Sequence, residues 1–405
     1  MTYRPLPLPR ALRDGVETTT DLARSRVSLA VAVQHLWETA ELLSGGLLAV
    51  AHYEGKLAMG YHLFVVTDAL RALEHRLDEL GTSKTVRRRE HRALVDVAAV
   101  LATQDGDAVL RAVYQVLLPR AVELLRELHD AGGRVADAPT HRLVRLHLPE
   151  LEEARDWGLD ATALLDTGAP AAAVPDSAHD GARTRPVRAR RDERFAVFSD
   201  TRDYRADAAH DADASPYEQD RLELVRTNRD EIDAIETFAL VYYDLLDGAP
   251  VDMLWDLART AWDEVRHSLL GHQLLERISG DPFAYPCSMI GIEVRSRLGG
   301  WDALAQISLF GELNIIGPMR ALAYAARAQG DEVTARAFDY ICSDESLHLR
   351  RIRRWLKEQH PLGDLDEIER FTKRRAGALL EELGVMGEEY FVNLSSEQIF
   401  ELLGE

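Results

Sequence analysis

Two stretches of the chain pair a carboxylate with an imidazole at a spacing that can hold a metal ion. Asp263-Glu264-Val265-Arg266-His267 and Asp344-Glu345-Ser346-Leu347-His348 repeat an acidic pair, two spacers and a histidine, 81 residues apart. In a helix, residues three apart project from nearly the same face with β-carbons about 5–6 Å apart, so Glu264 with His267, and Glu345 with His348, can each grip one cation. Each pair is half a site.

A carboxylate-bridged dimetal centre in a four-helix bundle also needs an inward glutamate from each of the other two helices. Glu231 and Glu312 are placed to supply them. Glu231 precedes Glu264 by 33 residues, and Glu312 precedes Glu345 by 33. If each helical hairpin turns near its midpoint, every glutamate lies about 24 Å along its helix from the turn, and all four meet at one level. Glu236 falls on the same broad apolar side of its helix as Glu231; periodicity leaves it open as the alternative, and the 33-residue repeat favours Glu231.

Four buried carboxylates repel one another and take up protons unless cations hold them, and two divalent ions neutralise four. Carboxylate oxygen with imidazole nitrogen and no thiolate suits iron or manganese better than structural zinc. The expected cofactors are two Fe ions, or one Mn and one Fe, with O2 as co-substrate. Asp263 and Asp344 are either ordinary surface carboxylates or acceptors for the outer ring N–H of a metal-bound histidine.

The elements that must position these residues are helical. From residue 18 to about 165, apolar residues recur at three and four, interrupted by SGG (44–46), GTS (81–83) and GD (106–107). His35, Glu38, His52, Glu54, His62, Glu74, His75, His129 and His147 fall here without forming an ExxH pair, and Pro149 is expected to break the helix after His147. Residues 167–194 lose all period and are rich in Ala, Pro, Gly and charge, so they read as a linker. The six arginines between Arg183 and Arg194 are expected to be solvated, or else to dock an acidic partner. FAVF (195–198) is a short run that would pack extended against a domain.

Helical periodicity resumes near Pro216, with turns at DGAP (247–250) and AQGDE (328–332) and a long connection over 281–300. The expected fold is all-α. Its domains are a helical accessory domain (1–165) that shapes the substrate entrance, covers the bundle or mediates self-association, a linker (166–215), a four-helix bundle with one long crossover (216–358) and a helical extension (359–405). Gly317-Pro318 should kink the third bundle helix. Tyr243 and Tyr340 read as core aromatics rather than redox relays, and Cys342 as a small buried hydrophobe.

Bulk properties narrow the class further. The chain has 405 residues and a formal net charge of −20, a field that disfavours nucleic-acid binding. Two cysteines, Cys287 and Cys342, give neither a disulfide framework nor a CxxC metal site. No leader and no membrane span are read in the sequence, so the expected compartment is the cytoplasm.

The two motifs resemble the DExRH and DExxH signatures of the ferritin-like di-iron carboxylate superfamily. Within it, RDEIDAIETF (229–238) and DEVRHSLLGHQLLERISG (263–280) look like ferritin-like proteins of unassigned function that lie near the tRNA-hydroxylating di-iron enzymes. The resemblance covers roughly residues 216–358. It implies metal ligation by Glu231, Glu264, His267, Glu312, Glu345 and His348, with Asp263, Asp344 and Arg266 around them. Two departures narrow the activity. Residue 271 is Gly where radical-generating ribonucleotide reductase subunits carry tyrosine, which sets that chemistry aside. Ile341 stands where arylamine N-oxygenases have an extra histidine. Gly271 either leaves room beside the metals for dioxygen or substrate, or marks a close helix crossing.

The expected function is a dimetal oxidoreductase that activates O2 to oxidise or hydroxylate a small organic substrate. No dinucleotide-binding or iron–sulfur motif is present, so electrons must come from an external reductase or ferredoxin, or from the substrate. The competing readings are a ferroxidase or peroxide-detoxifying protein and a ferritin-like scaffold without turnover. Hydroxylation of a modified tRNA stays conceivable through the resemblance, against the acidic charge. A homodimer is compatible with the sequence.

Overall fold

The computed structural model describes residues 21–81, 94–131, 135–165, 184–198 and 214–382. They are all-α apart from one two-residue strand pair. The chain divides into two compact units, residues 1–43 with 62–184, and residues 44–61 with 185–405. No helix among the described residues is long and apolar enough to cross a membrane.

Helices α1 (Leu22–Gly46) and α2 (Tyr53–Glu79) each contribute to both units. The first unit adds α3 (Val97–Ala102), α4 (Gly106–Arg111), a π-helical segment (Ala112–Leu117), α5 (Leu118–Ala131) and α6 (Ala138–Ala163). Asp96 and Asp105 cap α3 and α4 by accepting from Ala99 N and Asp107 N, which satisfies otherwise unpaired donors. Leu36, Leu63, Val66, Val113 and Leu117 are fully buried. His62 is also buried, its Nδ1 2.8 Å from the Tyr114 hydroxyl, and burial holds its pKa down at about 3, so it is a neutral core residue. Helix α6 runs through Pro149 rather than breaking there; Arg145, whose carbonyl loses its donor, is exposed and water can replace the missing bond.

In the second unit, Val197–Phe198 (β1) pairs in parallel with Cys287–Ser288 (β2). The bundle follows the expected two hairpins. Its first arm is broken into α7 (Pro216–Arg229) and α8 (Ile232–Leu245), and its second is α9 (Val251–Ser279). The crossover contains β2 and α10 (Ile290–Leu298). The third arm is α11 (Gly300–Gln306), a π-helical segment (Ile307–Glu312) and α12 (Leu313–Ala328); the fourth is α13 (Glu332–Gln359). Helix α14 (Leu365–Glu382) packs on α10 and α11.

The arms close a ring: α7 and α8 lie against α9, α12 against α13, α8 against α11, α7 against α12, and α9 against α13. Because α7 meets α12 while α8 meets α11, the first and third arms run antiparallel. Leu224, Leu275, Met319, Phe338 and Ile341 fill one end of the core. Helix α12 continues through Pro318, and the irregularity in the third arm is the π segment before it.

Two segments outside the four arms belong to this unit. Lys56, Tyr53 and Gly60 at the start of α2 pack on α8 and α9; a β-carbon on Gly60 would lie 2.7 Å from Ile235 and 2.8 Å from Val265. Residues 185–198, within the expected linker, are strapped to the bundle by arginines that were expected to be solvated. Arg185 donates twice to Asp244 at 2.8 Å, Arg191 grips both oxygens of Glu236, and Arg194 grips both oxygens of Glu54. The carboxylates that neutralise them are distant in sequence, so their local composition looked like that of a free linker.

Candidate metal centre

Both glutamates that lie outside the two motifs sit at interruptions of helical geometry. Helix α7 ends at Arg229, and Glu231 is the residue immediately before α8. The break is pinned from three sides. Ser268 Oγ donates to the freed Arg229 carbonyl at 2.8 Å, and the Tyr53 hydroxyl is 3.0 Å from Ser268 Oγ. The fully buried Arg229 guanidinium donates to the crossover carbonyls of Pro282, Tyr285 and Pro286 at 3.0, 2.7 and 3.1 Å. Finally, a β-carbon on Gly271 would lie 2.1 Å from Arg229 N and 2.6 Å from Asn228 C. Gly271 therefore marks a close crossing of α7 on α9, and the alternative of open space beside the site does not hold. On the third arm, Glu312 closes the π-helical segment. Such segments widen the helix locally and recur at functional sites.

From these positions the six residues converge. Glu231, Glu264, His267 and Glu345 form one group, and Glu264, Glu312, Glu345 and His348 a second; within each group the potential ligand atoms lie within 4.8 Å of one another. Glu264 and Glu345 belong to both. His267 Nδ1 is 3.2 Å from Glu231 Oε2, 3.1 Å from Glu264 Oε2 and 3.2 Å from Glu345 Oε1. His348 Nδ1 is 3.2 Å from Glu264 Oε1, 3.7 Å from Glu345 Oε2 and 3.9 Å from Glu312 Oε1. The two imidazoles are 6.0 Å apart, centre to centre.

Burial sharpens the electrostatics. His267 and His348 are fully buried, Glu264 and Glu345 nearly so, and Glu312 is 7% exposed. Burial, with Glu264 and Glu345 nearby, pushes the Glu231 carboxyl up to about 8, and burial beside Glu345 pushes Glu312 well above the usual range. Glu345 goes the other way: burial opposes its charge, yet hydrogen bonds from His267 and His348 outweigh it and hold it at about 2. Burial likewise opposes a charged His348, but bonds to Glu264 and Glu345 raise it to about 10.

The fit to a metal pair rests on orphaned atoms. Glu231 Oε2, Glu264 Oε1, both Glu312 oxygens, Glu345 Oε2 and His348 Nδ1 are buried without a hydrogen bond of proper geometry among the described residues. An unpaired buried acceptor costs on the order of 1–3 kcal/mol, more when charged. Here several lie within one cluster of potential ligand atoms, a donor set that can hold a cation. Glu264 and Glu345, common to both groups, would help to hold an ion in either one.

The outer ring nitrogens show why each motif begins with aspartate. His348 Nε2 is 3.2 Å from Asp263 Oδ2, and His267 Nε2 is 3.4 Å from Asp344 Oδ2. The bonds are crossed, each motif's aspartate serving the other motif's histidine. Arg266 ties the two together, donating to Asp344 at 2.7 Å and to Asp263, which Arg259 also meets. An N–H given to an aspartate leaves the lone pair on Nδ1, the nitrogen that faces the glutamates. Burial opposes ionisation of Asp344, but the bonds from His267 and Arg266 hold it at about 2.

Glu236 lies in neither group. It is fully buried, 2.5 Å from Lys56 Nζ and bidentate to Arg191. Burial lowers Lys56 to about 8 despite that partner. Tyr243 is a core aromatic as expected, whereas Tyr340 is 70% exposed, because on α13 the inward stripe is Phe338, Ile341, Glu345 and His348. Cys342 packs in the core beside that stripe.

Sequence reasoning missed Arg229, Ser268, Tyr53, Lys56 and Arg191. The position of Arg229 two residues before Glu231, as the first residue of RDE, was the available signal for the first; the others have partners too distant in sequence to be read. No family model, no curated protein and no solved structure matches this chain.

Proposed function

We propose that the protein is a dimetal-carboxylate oxidoreductase of the ferritin-like superfamily, using O2 to oxidise or hydroxylate a small organic substrate. What carries this reading is the pair of overlapping ligand groups that share Glu264 and Glu345 and leave their oxygens without partners. Two iron ions, or one manganese and one iron, would be held by Glu231, Glu264, His267, Glu312, Glu345 and His348, and would supply the two-electron reduction of O2.

The chain's own contribution is positioning and charge. Asp263 and Asp344 fix the histidine tautomers, and Arg266 locks both aspartates. Four carboxylates against two divalent ions leave a nearly neutral interior, which burial favours. Glu231 and Glu312, each bound to one group only and each on an irregular backbone, are the ligands best able to shift as protons and charge arrive. For a hydroxylation the balance is R–H + O2 + 2 e− + 2 H+ → R–OH + H2O: one oxygen atom enters the C–H bond and the other leaves as water.

The test is anaerobic Fe(II) loading followed by O2. With an electron donor and a substrate pool, O2 uptake is expected to run well past the metal content, and product to carry label from 18O2. Uptake that stops when Fe(II) is exhausted would identify a ferroxidase instead.

A further inference from the structure

The outward side of α12 and α13 carries a cationic groove that the site above does not use. It is a cavity of about 380 Å3 walled by Arg320, Arg327 and Arg350 and floored by Cys342 and Ser346. Arg327 is paired with Asp339, but no carboxylate among the described residues pairs with Arg320 or Arg350. The chain carries a net charge of −20, and Arg185, Arg191 and Arg194 of the same unit each find a carboxylate where these two do not. Arg353 and Lys357, both exposed, continue the same stripe along α13. Tyr324, 64% exposed, supplies an aromatic contact at the rim.

The floor is thin. Cys342 lies three residues before Glu345 on α13, with Arg320 on its groove side and Glu345 on its cluster side as charged neighbours. A molecule being oxidised has to touch the metal cluster, and this floor stands between the groove and the cluster. An electron needs proximity only.

We propose that this groove is the docking surface of an acidic protein that carries single electrons. The inference rests on the oxidoreductase reading above, which consumes two electrons that no motif of this chain can store. Each docked carrier is oxidised by one electron, delivered across the Cys342–Ser346 floor, so two encounters supply the pair and solvent supplies the two protons. Opposite charge steers such encounters and makes them salt-sensitive, while aromatic and arginine side chains are the residue types that anchor an interface.

The experiment uses the full chain and a plant-type [2Fe–2S] ferredoxin as an acidic carrier. Binding is measured by titration calorimetry at low and high salt, without requiring metal, for the parent, Arg320→Glu/Arg350→Glu, Arg320→Lys/Arg350→Lys, and Arg145→Glu on an exposed surface of the other unit. The charge reversal is expected to weaken binding roughly tenfold or more, the lysine variant to keep most of it, and the Arg145 variant to match the parent. In metal-loaded protein, reduction by ferredoxin should slow in parallel, while reduction by dithionite stays unchanged. Absence of binding by the parent, indifference to the charge reversal, or loss of tRNA binding rather than ferredoxin binding in that variant would each overturn the proposal. Metal content is read on the same preparations. Groove-dependent binding by a chain that takes up no metal on anaerobic iron loading defeats the oxidoreductase reading and, with it, the electron-delivery role; a loaded chain whose ferredoxin binding ignores the groove defeats only the docking surface.

Discussion

Asp263 and Asp344 do their work across the bundle rather than along their own helices. Removing the charge while keeping the shape, as in Asp344→Asn, weakens the hold on His267 Nε2, and an amide NH2 turned toward that nitrogen favours the wrong tautomer. Metal affinity is expected to fall about 10–100-fold, with helix content unchanged, on competition against a chelator. Glu236 is bound differently: Glu236→Ala leaves Lys56 and Arg191 as buried cations without their shared carboxylate. It should cost roughly 3–5 kcal/mol in denaturant unfolding while metal content below the transition stays that of the parent. Protonation gives a third test. In the metal-free chain Glu231 is raised to about 8 and His348 to about 10, so the folded state holds protons that the unfolded chain gives up from its ordinary carboxyl and imidazole values. The associated stability is full at low pH and is lost as pH rises through the folded values. The melting temperature of metal-free protein should therefore fall from roughly pH 5 to pH 8, and metal loading, which replaces those protons, should flatten the profile. The ligand types were legible because three-residue spacing is a property of any helix; the crossed pairing was not, since it depends on how two distant helices face each other.

At the scale of elements, the site depends on two places where helices are not regular. The 33-residue repeat located both hairpins and their turns, because the paired arms run nearly equal lengths from each loop. It could not show that Glu231 follows a helix break or that ISLFGE (307–312) winds as a π-helix, since both read locally as ordinary helix. Gly271 was ambiguous for the same reason: the atoms it must avoid belong to Asn228 and Arg229, more than ten turns of helix away in sequence. Gly271→Ala places a methyl group against backbone that cannot swing aside. The cost should reach or exceed about 3 kcal/mol, and displacement of Glu231 should lower metal occupancy more than the stability loss alone explains, seen by comparing melting temperature with metal content.

At the scale of the whole molecule, helical class and the gathering of carboxylate and histidine groups in the C-terminal half were readable from periodicity and the two motifs. What could not be read is that residues 44–61 and 185–198 belong to the bundle unit, through Lys56, Tyr53 and Arg194, whose partners lie 140 residues or more away, and through Arg191, which meets Glu236 45 residues on. The account as a whole turns on two ions sharing two carboxylates. Metal per chain, measured after anaerobic iron loading and removal of free metal, reads that sharing. The parent should hold about two; Glu231→Ala and Glu312→Ala, each altering one group, should hold about one; Glu264→Ala and Glu345→Ala, each altering both, should hold almost none. A parent that retains no metal, or a Glu264→Ala variant that still retains two, would contradict it.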